Sequence, residues 1–287
     1  MSRIAPDNET QRQYWNEPGG SAWTDWQERM DVQLAPMGDA AIEALRVQPG
    51  ERVVDIGCGC GHTTLQVAEL VGRTGAVVGL DISAPMLARC VQRAATSSVA
   101  NASFVLADAQ VASVDDIGGA ADVLVSRFGV MFFADPVAAF SNMLTFVKPG
   151  GRLSFVCWQT PSANGWMSAL GRELVGLFPD RPPLDPIAPG PFAFADPDRI
   201  RAILTASGWE GVRVTNCIRT MHLFGTSDFD TAVEGSLQIG VAARLLVGAT
   251  DEQKAGARSK AEEVMRTMWA EGGAMVDGAC WLVTATR

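Results

Sequence analysis

The chain is 287 residues long, 47% hydrophobic and 19% charged, which fits a folded globular protein and excludes a disordered one. Lys and Arg number 23 against 32 Asp and Glu, a net charge of −9; the clustered basic face that neutralises phosphate is missing, so nucleic acid is not expected as a partner. The polar N-terminus lacks the apolar core of a secretion signal, and no run approaches about 18 apolar residues; a cytoplasmic protein without membrane insertion is expected, its six scattered cysteines reduced.

Residues 8–46 read as mainly helical, with Tyr14, Trp15, Trp23 and Trp26 near the start and a helix from about Asp31 to Arg46. After the Pro49-Gly50 turn, RVVDI is a short strand, followed by apolar residues at helical spacing in TTLQVAELV, 63–71. GAVVGLD (75–81) is a second strand, APMLARCVQRAAT (84–96) a helix and SFVLADA (103–109) a third strand. ADVLVSRFG (121–129) is the fourth. The helix 135–147 is entered through Asp135 as cap and Pro136 at its first position. KPGG then turns the chain into the fifth strand, 152–158. Strands alternating with 10–15-residue helices mark a parallel sheet covered on both faces.

Beyond Trp158 the pattern changes. Prolines at 161, 179, 182, 183, 186, 189 and 191 surround a helix over 165–178, which reads as an irregular cap. A capped helix follows over 196–209, then a sixth strand over 211–224, two helices within 228–271 and a last strand over 278–287. The expected organisation is an N-terminal helical lid (1–46), a core (47–158), a cap insertion (159–196), a core helix and strand (197–225), a helical insertion (226–277) and a final core strand (278–287).

The chemistry concentrates at the strand ends. Gly57, Gly59 and Gly61 form G-x-G-x-G between Asp55 and a helix start, and Asp81 ends the next strand 20 residues beyond Gly61. Backbone N–H groups at such a turn face a ligand while the acid accepts ribose hydroxyls. His62 stands where a dinucleotide fingerprint wants its last glycine, so a nucleoside without pyrophosphate fits better than NAD(P). Asp108 at the third strand end suits an adenine amine, and Asp55 suits an ammonium or the turn itself. Zinc held by Cys58 and Cys60 lacks further ligands nearby in sequence.

VVDIGCGCG, GLDIS, ADAQ and KPGGRLSF together resemble the class I S-adenosylmethionine-dependent methyltransferases, in particular the bacterial small-molecule type acting in ubiquinone and menaquinone biosynthesis. The motifs cover about residues 10–158. The resemblance implies an α/β, Rossmann-like fold with a seven-stranded, mostly parallel sheet, helices on both faces and a helical substrate cap, the last strand antiparallel. It implies S-adenosyl-L-methionine as cofactor, with the glycines under its methionine part, Asp55 at its amino group, Asp81 on the ribose and Ile82 beside the adenine. Asp108 would meet the adenine amine and Ala109 its ring; Ser126 and Arg127 would border the methionine moiety, and Tyr14 would cover the cofactor.

Trp15, Phe128, Met131 and Trp158 are expected in the substrate pocket, pointing to an apolar or aromatic small acceptor. His222, near the end of the sixth strand, is the candidate general base or substrate contact. O-methylation is marginally preferred over C-methylation of a quinone precursor or other enolisable ring; a non-catalytic cofactor-binding partner protein is the reading from another class. A monomer or homodimer is expected.

Overall fold

The computed structural model describes residues 4–179 and 185–287. The first three residues of the expected lid, and 180–184 of the expected cap with Pro182 and Pro183, lie outside the described residues.

Seven strands form one sheet in the order β3-β2-β1-β4-β5-β7-β6: β1 Arg52–Ile56, β2 Ala76–Asp81, β3 Ala102–Leu106, β4 Ala121–Arg127, β5 Val147–Trp158, β6 Glu210–His222 and β7 Met275–Thr286. The pairs β1–β2, β1–β4, β2–β3 and β4–β5 are parallel, while β7 runs antiparallel to both β5 and β6. The chain order reverses between β1 and β4, and ligands of open α/β sheets sit at such a switch point, beyond the carboxyl ends of the strands.

The helices are α1 Glu9–Asn16, α2 Pro18–Asp25, α3 Gln27–Leu45, α4 His62–Val71, α5 Ala84–Thr96, α6 Pro136–Phe146, α7 Gly165–Leu174, α8 Pro197–Ala206, α9 Phe229–Gln238, α10 Val241–Leu246 and α11 Asp251–Met268. Their starts follow local chemistry. Ser83, Asp135, Asp196 and Asp228 each accept a hydrogen bond from a backbone N–H of the first turn, and Thr250 with Gln253 completes a capping box on α11.

Alternate residues of β5 serve different layers. Phe155 packs on Phe140 of α6, ring centroids 5.6 Å apart, and on Phe194 before α8. Trp158 stacks instead on Phe128, on the side where α3 crosses β4 to β7. α7, α9, α10 and α11 pack against one another.

Several boundaries differ from the sequence reading. The helical N-terminus is three helices, broken at Glu17 (φ −118°, ψ −105°) and at Trp26, and α3 starts four residues before the expected Asp31. β5 begins at Val147, because KPGG is a bulge on the strand: Ala121 pairs with Val147 and Val123 already with Arg152. The expected pair of helices in 228–271 is a trio, divided at Gly240 (φ +83°) and before Thr250.

Candidate active site

A cavity of about 220 Å³ opens at the carboxyl ends of β1, β2 and β4. Of the residues expected at a cofactor, Tyr14, Asp55, Gly57, Gly59, Asp81, Ile82, Asp108, Ala109 and Arg127 line it. Gly57 (φ +65°) passes so close to the loop after β4 that a Cβ there would lie 2.8 Å from Gly129 Cα, so only glycine closes this turn.

Gly61 and Ser126 do not line the cavity; each braces it. Gly61 N–H donates to Cys58 O (2.9 Å) at the start of α4. Ser126 Oγ donates to Ile56 O (2.7 Å) and accepts from Gly129 N–H (3.2 Å), tying β1 to the loop after β4. The turn's cysteines are small wall residues; burial pushes the Cys60 thiol up to about 12 and leaves it neutral.

The carboxylates differ in what remains free. Asp81 accepts Gly59 N–H on Oδ2 and Ser83 N–H on Oδ1, both at 2.8 Å, fastening the glycine turn to the loop after β2. Each oxygen keeps a lone pair for a ligand. Asp55 accepts Thr64 Oγ1–H on Oδ2 (2.7 Å), but its buried Oδ1 has no partner. Burial pushes its carboxyl up to about 7, against the Thr64 bond and the Arg127 charge.

Asp108 lines the cavity and is more engaged than its place on the strand end shows. Its Oδ2 already accepts Ala5 N–H (3.0 Å) and Asn8 Nδ2–H (2.9 Å), and its Oδ1 accepts Gln110 N–H (2.9 Å). The acid read as an adenine contact also anchors the chain's own N-terminal segment, and its Oδ1 keeps one lone pair.

Asp31 of α3, which the motifs did not mark, organises the charge of the site. Its carboxylate meets Arg93 at 2.9 Å, Arg127 at 3.3 Å, His62 Nδ1 at 3.4 Å and Gln27 Nε2 at 2.5 Å. Burial alone would raise its pKa; the His62 hydrogen bond and the Arg127 and Arg93 charges outweigh it and hold the carboxyl at about 2. Arg127 Nη1 stays buried without a partner. Gln11 of α1, also lining the cavity, has a buried Oε1 without a partner.

The expected substrate-pocket residues Trp15, Phe128, Met131 and Trp158 line the same cavity. Phe128 and Trp158 stack at 4.1 Å and 13°, and Trp166 meets Trp158 edge-on at 5.6 Å. Phe128 adopts φ +62°, a left-handed backbone that a bulky residue rarely takes, and this places its ring on Trp158. Trp15 meets Phe132 at 5.1 Å and Tyr14 at 5.1 Å, closing the wall from α1.

His222 is corrected. It is absent from the cavity wall: the last position of β6 turns it against Gly273, where a Cβ would lie 2.3 Å from its Nε2. It is therefore in no position to act on a substrate in the cavity. Among the described residues no histidine lines the cavity.

The methyltransferase domain family matches residues 48–167, the segment that carries β1 to β5 and the glycine turn. Over 129 residues the chain is 31% identical to aklanonic acid methyltransferase DauC of Streptomyces sp. (strain C5), covering 45% of this chain and 58% of that one. Over 139 residues it is 37% identical to the ubiquinone/menaquinone biosynthesis C-methyltransferase UbiE of Pseudomonas aeruginosa, covering 48% and 54%. The chain thus spans just over half the length of these two relatives. The fold is that of the YcgJ protein from Bacillus subtilis, at a TM-score of 0.56 and 15% identity over 88% of this chain and 97% of that one.

The free atoms of the cavity fit S-adenosylmethionine, the cofactor that the sequence resemblance implies. An amino acid end needs an acceptor for its ammonium and a donor for its carboxylate; Asp55 Oδ1 and Arg127 Nη1 are one of each, buried and unpartnered. Besides these, the domain match leaves out α1 to α3 and everything after Met167, so Asp31, Gln33, Trp23 and Phe224 enter the cavity from outside it.

Proposed function

We propose that the protein transfers the methyl group of S-adenosylmethionine to a small acceptor with an apolar or aromatic body. The observation that carries this is the Phe128–Trp158 stack with Trp166 on its edge, an aromatic wall in the same cavity as the glycine turn and Asp81. In this reading Asp55 Oδ1 holds the ammonium of the cofactor, Arg127 its carboxylate, Asp81 the ribose hydroxyls, and Ile82 and Ala109 flank the adenine. Tyr14 and Gln11 cover it from α1, Gln11 Oε1 offering a further acceptor to the adenine amine beside Asp108.

The bound cofactor supplies an already activated methyl group, so the chain's own work is to align the acceptor and exclude water. Oxygen is the preferred methyl acceptor. Carbon, as in an enolisable ring, is the second reading, favoured by the likeness to a relative named as a C-methyltransferase; it also suits a pocket whose described wall contains no histidine base.

Calorimetric titration with S-adenosylhomocysteine tests the cofactor half. Binding is expected, and Asp81→Ala should weaken it by about 1.5–3 kcal/mol, the worth of hydrogen bonds to a charged group. Absence of binding by the unmodified protein overturns the reading. Methyl-labelled S-adenosylmethionine with a panel of phenols and 1,3-dicarbonyls, products read by mass spectrometry, then separates oxygen from carbon; no labelled product from a binding-competent protein favours a non-catalytic partner.

A further inference from the structure

The acceptor side of the cavity is built of Met30, Leu34, Phe128, Trp158 and Phe224, with one polar side chain held firmly among them. Gln33 of α3 is 2% exposed and lines the cavity. Its Oε1 accepts the N–H of Phe224 at 2.6 Å, so the amide's orientation is set by its only partner. Its Nε2 makes no hydrogen bond within the described residues and is left to donate to a ligand in the cavity.

The bond to Phe224 is constructed rather than incidental. Phe224 sits at φ +53°, a conformation unfavourable for a bulky residue. Its ring fits over Gly235, where a Cβ would lie 2.7 Å from Phe224 Cδ1. A strained backbone, a cleared floor and a buried glutamine thus converge on presenting one NH2 group. Trp166, in the wall of the same cavity, carries a buried Nε1–H without a partner. Both are neutral donors.

We propose that Gln33 is a specificity-determining residue that donates a hydrogen bond from Nε2 to an oxygen on the acceptor. This rests on the proposed methyl transfer to a small acceptor in this cavity. The ligand class follows from the chemistry of the group. A neutral amide donor amid aromatic walls selects a carbonyl, phenol or enol oxygen on an apolar body. It does not select a carboxylate or phosphate, which calls for a guanidinium fork, nor a hydrocarbon, which would leave the donor unpaired.

The test uses the full chain saturated with S-adenosylhomocysteine and two probes of the same planar body, naphthalene and 2-naphthol, with affinities from fluorescence titration. The oxygenated probe should bind about tenfold more tightly, the effect of one hydrogen bond to a buried donor. Gln33→Met should remove that preference while leaving S-adenosylhomocysteine affinity unchanged. Equal affinities of the two probes for the unmodified protein, binding of neither, or a preference that survives in Gln33→Met overturns the proposal. Should Gln33→Met fail to fold, the structure of the unmodified protein with 2-naphthol decides: the proposal requires the naphthol oxygen within hydrogen-bond distance of Gln33 Nε2 and falls if it lies elsewhere. Loss of S-adenosylhomocysteine binding by the unmodified protein would instead count against the methyl-transfer reading itself.

Discussion

Asp55 shows how a single buried atom couples ligand binding to pH. Its carboxyl titrates at about 7 in the free protein because burial penalises the charge. A folded-state pKa above the unfolded value means the native state binds the extra proton, so the free protein loses stability as pH rises from about 4 to about 7. An ammonium at Oδ1 reverses the preference and favours the carboxylate. S-adenosylhomocysteine binding should therefore release a proton below pH 7, and its affinity should climb with pH and level off above about 7. Calorimetry in buffers of different ionisation enthalpy reads the proton directly. A pH-independent affinity across 5.5–8, or equal pH dependence in Asp55→Asn, would separate Asp55 from the cofactor. Asp31 behaves in the opposite sense. Held at about 2 by His62, Arg127 and Arg93 against its burial, it contributes stability above the unfolded value near 4, lost only as pH falls through the acid range.

At the scale of elements, the N-terminal helices are fixed to the strand-end loops through side-chain amides. Asn8 Nδ2 donates to Asp108 Oδ2 and to Gln110 Oε1 (3.1 Å), and its Oδ1 accepts Ala134 N–H at 2.8 Å. Asn16 donates to Ile82 O and accepts from Ala84 N–H, both at 2.9 Å, while Ser83 Oγ–H donates to Trp15 O at 2.6 Å. Asn8 and the end of α1 thus grip the two loops that carry the proposed ribose and adenine contacts. Asn8→Ala removes a partner from Asp108, Gln110 and Ala134, on the two loops after β3 and β4, at about 1–3 kcal/mol. It should speed S-adenosylhomocysteine dissociation by roughly ten- to a hundredfold and expose residues before α3 to protease. Unchanged dissociation in stopped-flow would mean that the segment does not retain the cofactor.

What was legible divides along the same line. Each strand–helix unit announces its own ends: Asp135-Pro136 and Asp196-Pro197 are read from four residues or fewer, and Gly57, Asp81 and Asp55 follow from position on consecutive strand ends. Asp31 and Gln33 do not, because their partners Arg127 and Phe224 are distant in sequence and meet them only once α3 docks across the sheet. Asp108 was placed correctly but not its partners, which come from residues 5 and 8. His222 went astray for the same reason: the tuck against Gly273 belongs to the turn before β7, and no local pattern shows it.

For the whole molecule, the sheet closes only with its last strand. β7 is inserted between β5 and β6, pairing with β5 from Arg152–Thr286 to Trp158–Cys280 and with β6 from Glu210–Thr286 to His222–Met275. β6 is the edge strand, and β7 is its sheet neighbour. Asn164, fully buried before α7, clasps the same strand by donating from Nδ2 to Ala279 O (2.9 Å) and accepting Ala279 N–H on Oδ1 (3.0 Å). Removing residues 275–287 would strip β6 of its ladder and leave the amide of Asn164 without the backbone it holds. It would also expose the β5 edge beside Trp158, and take Cys280, Val283 and Ala285 out of the core. The loss reaches well beyond the net stability of about 5–15 kcal/mol typical of a domain. The truncated chain should show no cooperative thermal transition by near-ultraviolet circular dichroism and no S-adenosylhomocysteine binding, although residues 48–167 remain complete. A truncated protein that melts cooperatively and binds with native affinity would show that the methyltransferase domain stands without β7, with β6 and the helices around it as an appendage.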